Sequence, residues 1–397
     1  MNKVKFLHCG DLHLGCKPNH LEERYNDFFD SFKELIDNAI EKECKYILIS
    51  GDLFHLKVIN SKTLLDVTNL LEYAIKNDIK IITIEGNHDK AFYVDEESWL
   101  NYLSKKNYII LLKHNIVDGK LVIDHNSIYE DDNIRVIGIG YLGSMTNNYL
   151  MNLEELISKS DKYTVLMLHA AINRLCGEEM GDVSLETLLP LKSKINYIAL
   201  GHIHTRYEYD DFCFNPGSIE NIRIRDGKHS DKKGYYICDT GHNKNFYISK
   251  QREIYNIKHK LENNHDIETI THSLENLSLD IKENSILELT IYGNILFNPY
   301  LINFEKIKKS IKEKYNLLHI EINNFINIIN TENDMDNIID IKLIENEAIA
   351  NYLKINHPEI ENKDNITKEL QQLKQLILNE QDIEVIINNM ANQEDTK

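Results

Sequence analysis

The chain has no closely spaced pair of cysteines. Its six, Cys9, Cys16, Cys44, Cys176, Cys213 and Cys238, are scattered without a CxxC among them, which argues against a disulfide framework and against a thiolate zinc site. A reducing, cytoplasmic setting fits that distribution. Long apolar runs are also missing. Nothing before Asp11 has the length of a signal-peptide core, and no stretch approaches the roughly 20 residues needed to cross a bilayer, so secretion and membrane insertion are not expected. Positive charge is in deficit, with 45 Lys and Arg against 63 Asp and Glu and a formal net charge of −18. That balance argues against a broadly basic nucleic-acid wrapper, although metal cations and local lysines could still draw in a phosphate backbone. No internal repeat stands out, and no stretch has the heptad pattern that would show dimerisation directly.

What the chain does have is 397 residues with 42% hydrophobic content, enough for roughly two or three domains. Val4 to His8 reads as a strand running into Asp11-Leu12-His13. Residues 24 to 43 read as a helix, with Phe28, Phe32, Leu35, Ile36, Ala39 and Ile40 on one face. The apolar run Tyr46 to Ile49 leads into Gly51-Asp52-Leu53-Phe54-His55. A second helix carrying Leu64, Leu65, Leu71, Ala74 and Ile75 follows, then a strand from Ile79 to Ile84 that ends at Gly86-Asn87-His88-Asp89. Strands separated by helices predict an α/β core with at least partly parallel strands, and its motifs should gather along one sheet edge. Further strands are expected at Ile134 to Gly140, at Thr164 to Leu168 before His169, and at Ile195 to Leu200 before Gly201-His202-Ile203-His204. Two more should fall at Phe212 to Phe214 and Gly234 to Cys238.

The candidate ligands are thus carboxylate, amide and imidazole, with no sulfur, a set that suits manganese, iron or zinc better than a dedicated magnesium site. Asp52, at a strand end, has two oxygens and can bridge two cations. A pair of such ions about 4 Å apart can activate water and clamp a phosphoryl group. In Asp11-x-His13 and His202-x-His204, an extended backbone would send both side chains to the same side. Gly10, Gly51, Gly86 and Gly201 stand beside ligands, where a sharp reversal or a close approach is needed.

In this order, DLH, GDLFH, GNHD, a lone His after an apolar strand and GHIH resemble the calcineurin-like metallophosphoesterases. Asp89, His55 and the later Asn215-Pro216-Gly217-Ser218 resemble the SbcD/YhaO-type DNA-repair exonucleases, over roughly residues 1 to 240. In that branch an aromatic residue more often stands at Asn215, and the acidic residues after Pro-Gly-Ser match only at Glu220. The resemblance implies a four-layer α/β/β/α sandwich over residues 1–255, a small α/β capping domain over 256–335 and a C-terminal helical, partner-binding region over 336–397. It implies one metal on Asp11, His13, Asp52 and His204, and a second on Asp52, Asn87, His169 and His202, most often manganese. His88 would face the scissile phosphate and His55 would orient His88. The implied activity is 3′–5′ exonucleolytic hydrolysis of DNA ends in repair by metal-activated water, with an SbcC-type coiled-coil ATPase as partner and homodimerisation as a further expectation. A phosphatase or small-molecule phosphodiesterase with the same metals, or a non-catalytic scaffold, are the alternatives. The C-terminal additions disfavour the phosphatase or small-molecule phosphodiesterase, and the unbroken ligand set disfavours the scaffold.

Single histidines are more often structural, and that reading is kept for His8, His20, His114, His125 and His229. Arg223, Arg225, Lys228, Lys232 and Lys233 form a locally basic stretch that either touches substrate phosphates, through Arg223 and Arg225, or is a solvated hairpin. Farther on, Ile286 to Ile291 and Leu318 to Ile322 alternate like half-buried strands around a helix from Leu301 to Tyr315. That helix exposes Lys306, Lys308, Lys309, Lys312 and Lys314. Helices are expected again at Ile344 to Leu353 and Ile366 to Leu378.

Overall fold

The computed structural model describes residues 3–91, 97–173, 175, 182–224, 232–261, 266–328 and 366. The chain divides into two compact units, residues 1–293 with 300–326, and residues 294–299 with 327–397. Both large sheets and all the histidine motifs lie in the first. Apart from residue 366, the helices expected after residue 340 lie outside the described residues, as does Arg225.

The first unit begins as an alternating series: β1 (Lys5–Cys9), α1 (Glu22–Glu41), β2 (Cys44–Ile49), α2 (Ser61–Lys76), β3 (Lys80–Thr83), α3 (Trp99–Lys105) and β4 (Ile110–Leu111). A hairpin of β5 (Asn115–Val117) and β6 (Lys120–Val122) precedes β7 (Ile128–Glu130) and β8 (Ile134–Ile139). The short helices α4 (Thr146–Leu150) and α5 (Leu153–Leu156) then lead to β9 (Tyr163–His169), and α6 (Leu185–Leu188) leads to β10 (Tyr197–Gly201). The strands β11 (Tyr207–Tyr209), β12 (Cys213–Asn215), β13 (Gly234–Asp239) and β14 (Lys244–Ile248) follow. The first sheet runs β14-β13-β1-β2-β3-β4 and the second β11-β12-β10-β9-β8-β7. In the first, β1 to β4 are parallel. In the second, β12, β10, β9 and β8 are parallel between antiparallel edge strands.

The strand period of two distributes side chains over three cores. On the first sheet Leu7, Cys9, Ile47 and Ile49 pack under α1 and α2, while Phe6, Tyr46 and Leu48 face the second sheet. On the second, Val165, Met167, Tyr197 and Ala199 return that contact. Leu166, Leu168, Ile198 and Leu200 face the short helices on the far side. The result is the four-layer α/β/β/α sandwich expected. Each fully buried Leu, Ile or Phe contributes roughly 1.5–3 kcal/mol, so the middle and outer cores together hold the sheets in fixed register.

Three expectations change. In α2 the buried face is Thr63, Val67, Leu71 and Ala74, whereas Leu65 and Ile75 are exposed. At 100° per residue those two positions fall off the Val67-Leu71-Ala74 stripe. Lys233 is buried, and its ammonium donates to the carbonyl of His204 at 2.7 Å, so it braces the GHIH loop from behind and belongs to no solvated hairpin. Glu220 is also buried. It pairs with Arg24 at 3.3 Å and accepts the amide of Arg252 at 2.9 Å, while Arg252 and Arg24 both grip Asp27. This network joins α1 to the start of a third sheet, β15 (Ile254–Lys260), β16 (Ile286–Ile295) and β17 (His319–Ile328), which is accompanied by α7 (Ile267–Glu275) and α8 (Phe304–Lys314). No strand was expected at β15, which lies across the boundary drawn at residue 255 between the nuclease and capping regions. In α8, Ile307 and Ile311 are buried, and Lys306, Lys309, Lys312 and Lys314 are exposed, as expected.

His8 is fully buried between the sheets, where its Nδ1 meets the Tyr197 hydroxyl at 2.8 Å and its Nε2 meets the Leu200 carbonyl at 3.0 Å. Burial pulls its pKa down to about 3, with the Leu200 carbonyl opposing. A histidine neutral in the fold but protonated when unfolded stabilises fully above the unfolded pKa of about 6.5, and that contribution is lost as pH falls toward 3, at up to ~1.4 kcal/mol per pH unit. Urea denaturation at pH 7, 6, 5 and 4 should therefore show a shallower acid loss for His8→Gln than for the wild type. Parallel slopes would exclude His8 as a source of acid sensitivity.

Candidate metal centre

Register places the motifs together. Cys9 lies opposite Ile49, and Ile49 opposite Thr83, so the segments leaving β1, β2 and β3 depart from one edge of the first sheet. Gly201 pairs with His169 on the second, which brings the carboxyl ends of β9 and β10 to the same rim. The Asp11-His13 and Asp52-His55 segments are then laced to each other. Asp11 N donates to Gly51 O (3.1 Å), His13 N to Asp52 O (3.0 Å), Leu14 N to Leu53 O (2.9 Å) and His55 N to Leu14 O (3.1 Å). Asp11, His13, Asp52 and His202 all adopt positive φ, at 51°, 45°, 52° and 94°. Non-glycine residues hold that conformation only where the surroundings overdetermine it, and such strain clusters at functional sites. The expected extended backbone for Asp11-x-His13 is thus replaced by left-handed turns. Gly51, at φ 88°, and Gly86 are required for close approach, since a Cβ would collide with His169 at the first and with Asp52 at the second.

Asp52 is the common neighbour. Its Oδ1 accepts the amide of His88 at 2.9 Å, and its Oδ2 lies 3.5 Å from His169 Nε2 and 3.8 Å from His13 Nε2. On one side His13 Nε2 and His204 Nε2 face each other at 3.1 Å beside Asp11. On the other, His169 Nε2 and His202 Nδ1 both converge on Asn87 Oδ1 at 3.1 Å. Ring nitrogens and carboxylate oxygens aimed at one another this closely, in a buried pocket, are the arrangement that a cation completes. Asp11, His13 and His204 could hold one ion, and Asp11, Asp52 and His169 form an adjoining group. The donor set is nitrogen and oxygen throughout, which fits divalent transition ions.

Electrostatics follow from the crowding. Burial and then Asp52 push Asp11 up to about 7, with His169 opposing. Burial likewise works against charge on Asp52, but His169 and His13 outweigh it and hold the carboxyl below its ordinary range. Burial also opposes protonation of His169, yet Asp52 and Asp11 overcome it and raise the imidazole to about 9. His13 is held well below its usual value, by burial first and by neighbouring imidazoles, against Asp52.

His88 Nδ1 donates to the main-chain carbonyl of His55 at 2.6 Å, and the two rings stack at 5.6 Å. The imidazole of His55 instead approaches His13, Nδ1 to Nδ1 at 3.3 Å. Orientation of His88 therefore runs through the backbone of His55 and a ring stack, not through a hydrogen bond from its side chain. Arg223 is exposed and lies close enough to lower the His55 pKa, together with burial and His88, while Asp52 acts in the opposite sense.

Four contributions were not legible in the sequence. Asp89 is a clamp whose two oxygens accept the amides of Leu53 (3.2 Å), Phe54 (3.1 Å) and Gly86 (3.0 Å), joining the GDLFH and GNHD segments. Burial and then Asp52 raise it to about 7, against the amides. Tyr141 packs on His202 at 5.2 Å and on His169 at 6.0 Å. Lys90 lies over the Tyr141 ring at 5.7 Å, and its pKa is lowered by burial, with Glu85 opposing and nearby Lys57 adding to the effect. Asp182 stands 3.6 Å from His202 Nε2. Tyr141, Lys90 and Asp182 belong to no spaced motif. Asp89, the Asp of GNHD, carried a signal, and that signal named no role.

The calcineurin-like phosphoesterase family model matches residues 4–206. Curated relatives named DNA double-strand break repair protein Mre11 are similar across the same region and beyond. The Archaeoglobus fulgidus protein is 29% identical over 233 residues, 56% of this chain and 52% of that protein. The Methanocaldococcus jannaschii protein is 33% identical over 245 residues, 59% of this chain and 62% of that protein. The Sulfolobus acidocaldarius protein is 26% identical over 366 residues, 88% of this chain and 90% of that protein. The chain spans about half to three fifths of the length of the first two.

Removing the Asp89 acceptors leaves three buried amides without a partner, at about 1–3 kcal/mol for each unsatisfied group before relaxation. Asp89→Ala should lose ~3 kcal/mol or more of unfolding free energy in urea, and Asp89→Asn, which keeps one acceptor, should fall between it and the wild type. Equal midpoints for the three proteins would mean that the clamp contributes nothing.

Proposed function

The chain belongs to the calcineurin-like phosphoesterase family, and from that premise we propose that it is a two-metal phosphodiesterase that degrades DNA ends in repair. One observation carries the reading: a single buried carboxylate, Asp52, stands between two clusters of nitrogen and oxygen donors. In this scheme Asp11, His13, Asp52 and His204 hold one ion, and Asp52, Asn87, His169 and His202 the other. Divalent metals serve the family, and manganese suits the mixed imidazole and carboxylate set. When bound, the ions supply Lewis acidity, which lowers the pKa of water and neutralises charge on a phosphodiester.

The protein's own groups supply the rest. His88 is held by the His55 carbonyl through Nδ1–H, so Nε2 is the nitrogen left to meet a substrate. In the imidazolium form Nε2–H can protonate the leaving oxygen. The ring of His55 backs both His88 and His13. Arg223, Lys57 and Lys90 give this rim positive charge inside an acidic protein, and with Arg225 they are the groups that would meet the phosphate backbone. DNA as substrate is supported by the names of the curated relatives.

The wider reading keeps a nuclease region over 1–255, a cap over 256–335 that selects DNA ends, and a region over 336–397 that docks an SbcC-type coiled-coil ATPase, with a homodimer as the assembled form. A cytoplasmic setting is supported by five described cysteines that are buried and outside any disulfide. No helix among the described residues is long and apolar enough to cross a membrane.

With added Mn²⁺, end-labelled linear DNA should be shortened progressively from its 3′ ends. Chelation and Asp52→Ala should each abolish the reaction, and His88→Ala should slow it by ~10²–10⁴-fold. His55→Ala keeps the carbonyl that orients His88 and should lose less than His88→Ala. Hydrolysis of a generic phosphodiester with DNA left intact would replace the nuclease by a small-substrate phosphodiesterase. Separately, Arg223→Ala should weaken DNA binding and flatten its salt dependence by about one unit of slope. Unchanged binding and slope would remove Arg223 from the DNA contact.

A further inference from the structure

Asp182 belongs to no motif. Its carboxylate Oδ2 stands 3.6 Å from Nε2 of His202, with the side chain 13% exposed. The other ring nitrogen, Nδ1, lies 3.1 Å from Asn87 Oδ1, the atom on which His169 Nε2 also converges. His202 therefore sits between a candidate cation position on its Nδ1 side and a carboxylate on its Nε2 side. Asp182 is fixed in turn. The same Oδ2 accepts the amide of Ala171 at 3.0 Å, while the amides of Asp182 and Val183 donate to the Ala171 carbonyl at 2.9 and 3.1 Å. Ala171 comes two residues after His169. One carboxylate thus joins the segment that delivers His169 to the ring of His202, and Tyr141 packs against that ring as well.

We infer that Asp182 is a positioning residue for His202: its carboxylate, 3.6 Å from Nε2, favours the proton on that nitrogen when a cation occupies the Nδ1 side, and so directs the Nδ1 lone pair at the Asn87-His169 position. A neutral imidazole has one donor nitrogen and one acceptor, and a carboxylate can only accept, so placing it beside Nε2 selects the Nε2–H tautomer. A carboxylate facing Nε2–H also makes Nδ1 a stronger donor to a metal, and removing such a partner typically costs about 10–100-fold in affinity. The inference rests on the two-metal reading, because Nδ1 stands 3.1 Å from Asn87 Oδ1 and only a cation between them leaves that nitrogen without a proton. Holding the Ala171 amide is the other role that the geometry allows Asp182, and that role alone would leave His202 untouched.

The test uses the full chain with Asp182→Ala and Asp182→Asn. Calorimetric titration with Mn²⁺ should show two binding events in the wild type. In Asp182→Ala one event should weaken by about 10–100-fold while the other keeps its affinity, with Asp182→Asn intermediate. In the protein loaded with diamagnetic Zn²⁺, proton–nitrogen correlations should show the His202 Nε2–H protected from exchange, and that protection should be lost in Asp182→Ala. Melting in chelator separates this from a fold defect, since Asp182→Asn should keep the wild-type melting temperature. Two events of wild-type affinity in Asp182→Ala would overturn the inference, as would equal weakening of both events in step with a lowered melting temperature in both variants. Failure of the wild type to bind manganese would overturn the two-metal reading and this inference with it, whereas wild-type affinity for both events in Asp182→Ala would overturn the inference alone.

Discussion

The site depends on keeping a charge where water cannot reach it. Asp52 is 1% exposed, and moving a carboxylate into such an environment costs several kcal/mol unless other groups answer it. The answer comes from all directions: an amide on Oδ1, and two imidazoles on Oδ2 that arrive from opposite sheets. Because His13 follows β1 and His169 ends β9, neutralising this one group requires both sheets to be assembled. Local charge balance and global fold are thus a single condition, and the four strained backbones at Asp11, His13, Asp52 and His202 persist because that condition fixes them. A left-handed conformation in a non-glycine residue costs roughly 1 kcal/mol or more, which the hydrogen bonds lacing the first two motif segments offset.

The sandwich explains why the site sits at its rim. Parallel strands in one sheet end on the same side, and here two such sheets pack with their carboxyl ends together. Within each strand, alternate residues serve different cores, so shifting β1 or β9 by one position would send Phe6 or Met167 to the wrong layer and carry the following motif away with it. The apolar pattern of a strand and the position of its ligand are therefore under the same constraint. His8 takes part in this middle layer: it is an imidazole a few residues from the site that serves packing and hydrogen bonding between the sheets.

Much of this was legible in the sequence because parallel strands buried on both faces appear as short apolar runs, and a ligand after each run is a local signal. The strand before Asp52, the one before His169 and the order of the motifs needed no tertiary information. What was hidden depends on contacts between distant segments. Asp89 follows Asn-His in the chain, but its clamp on Leu53 and Phe54 exists only once β2 and β3 are paired. Asp182 reaches His202 across 20 positions and lies in a polar stretch without periodicity. Lys233 looks like a surface lysine until the GHIH loop folds over it. How His55 meets His88 was hidden for a different reason: sequence displays side chains, and here the contact is a main-chain carbonyl and a ring stack. Leu65 and Ile75 show the remaining limit, since a leucine-rich helix contains more apolar residues than its buried stripe can take.

The net charge of −18 might be thought to oppose any polyanionic substrate, but the range of the interaction decides the matter. At physiological ionic strength the Debye length is about 8 Å, so carboxylates on far surfaces are largely screened at the rim. The field a phosphate meets there is set by groups within that distance, and these include Arg223 beside His55 and the pair Lys57 and Lys90. Divalent cations in the cluster would add charge at shorter range and in a lower dielectric, where each counts for more. Acidity elsewhere then has a separate consequence. In the proposed nuclease it would disfavour nonspecific adhesion along a duplex, so that binding would depend on the few contacts that only a phosphate seated at the candidate metal centre can make.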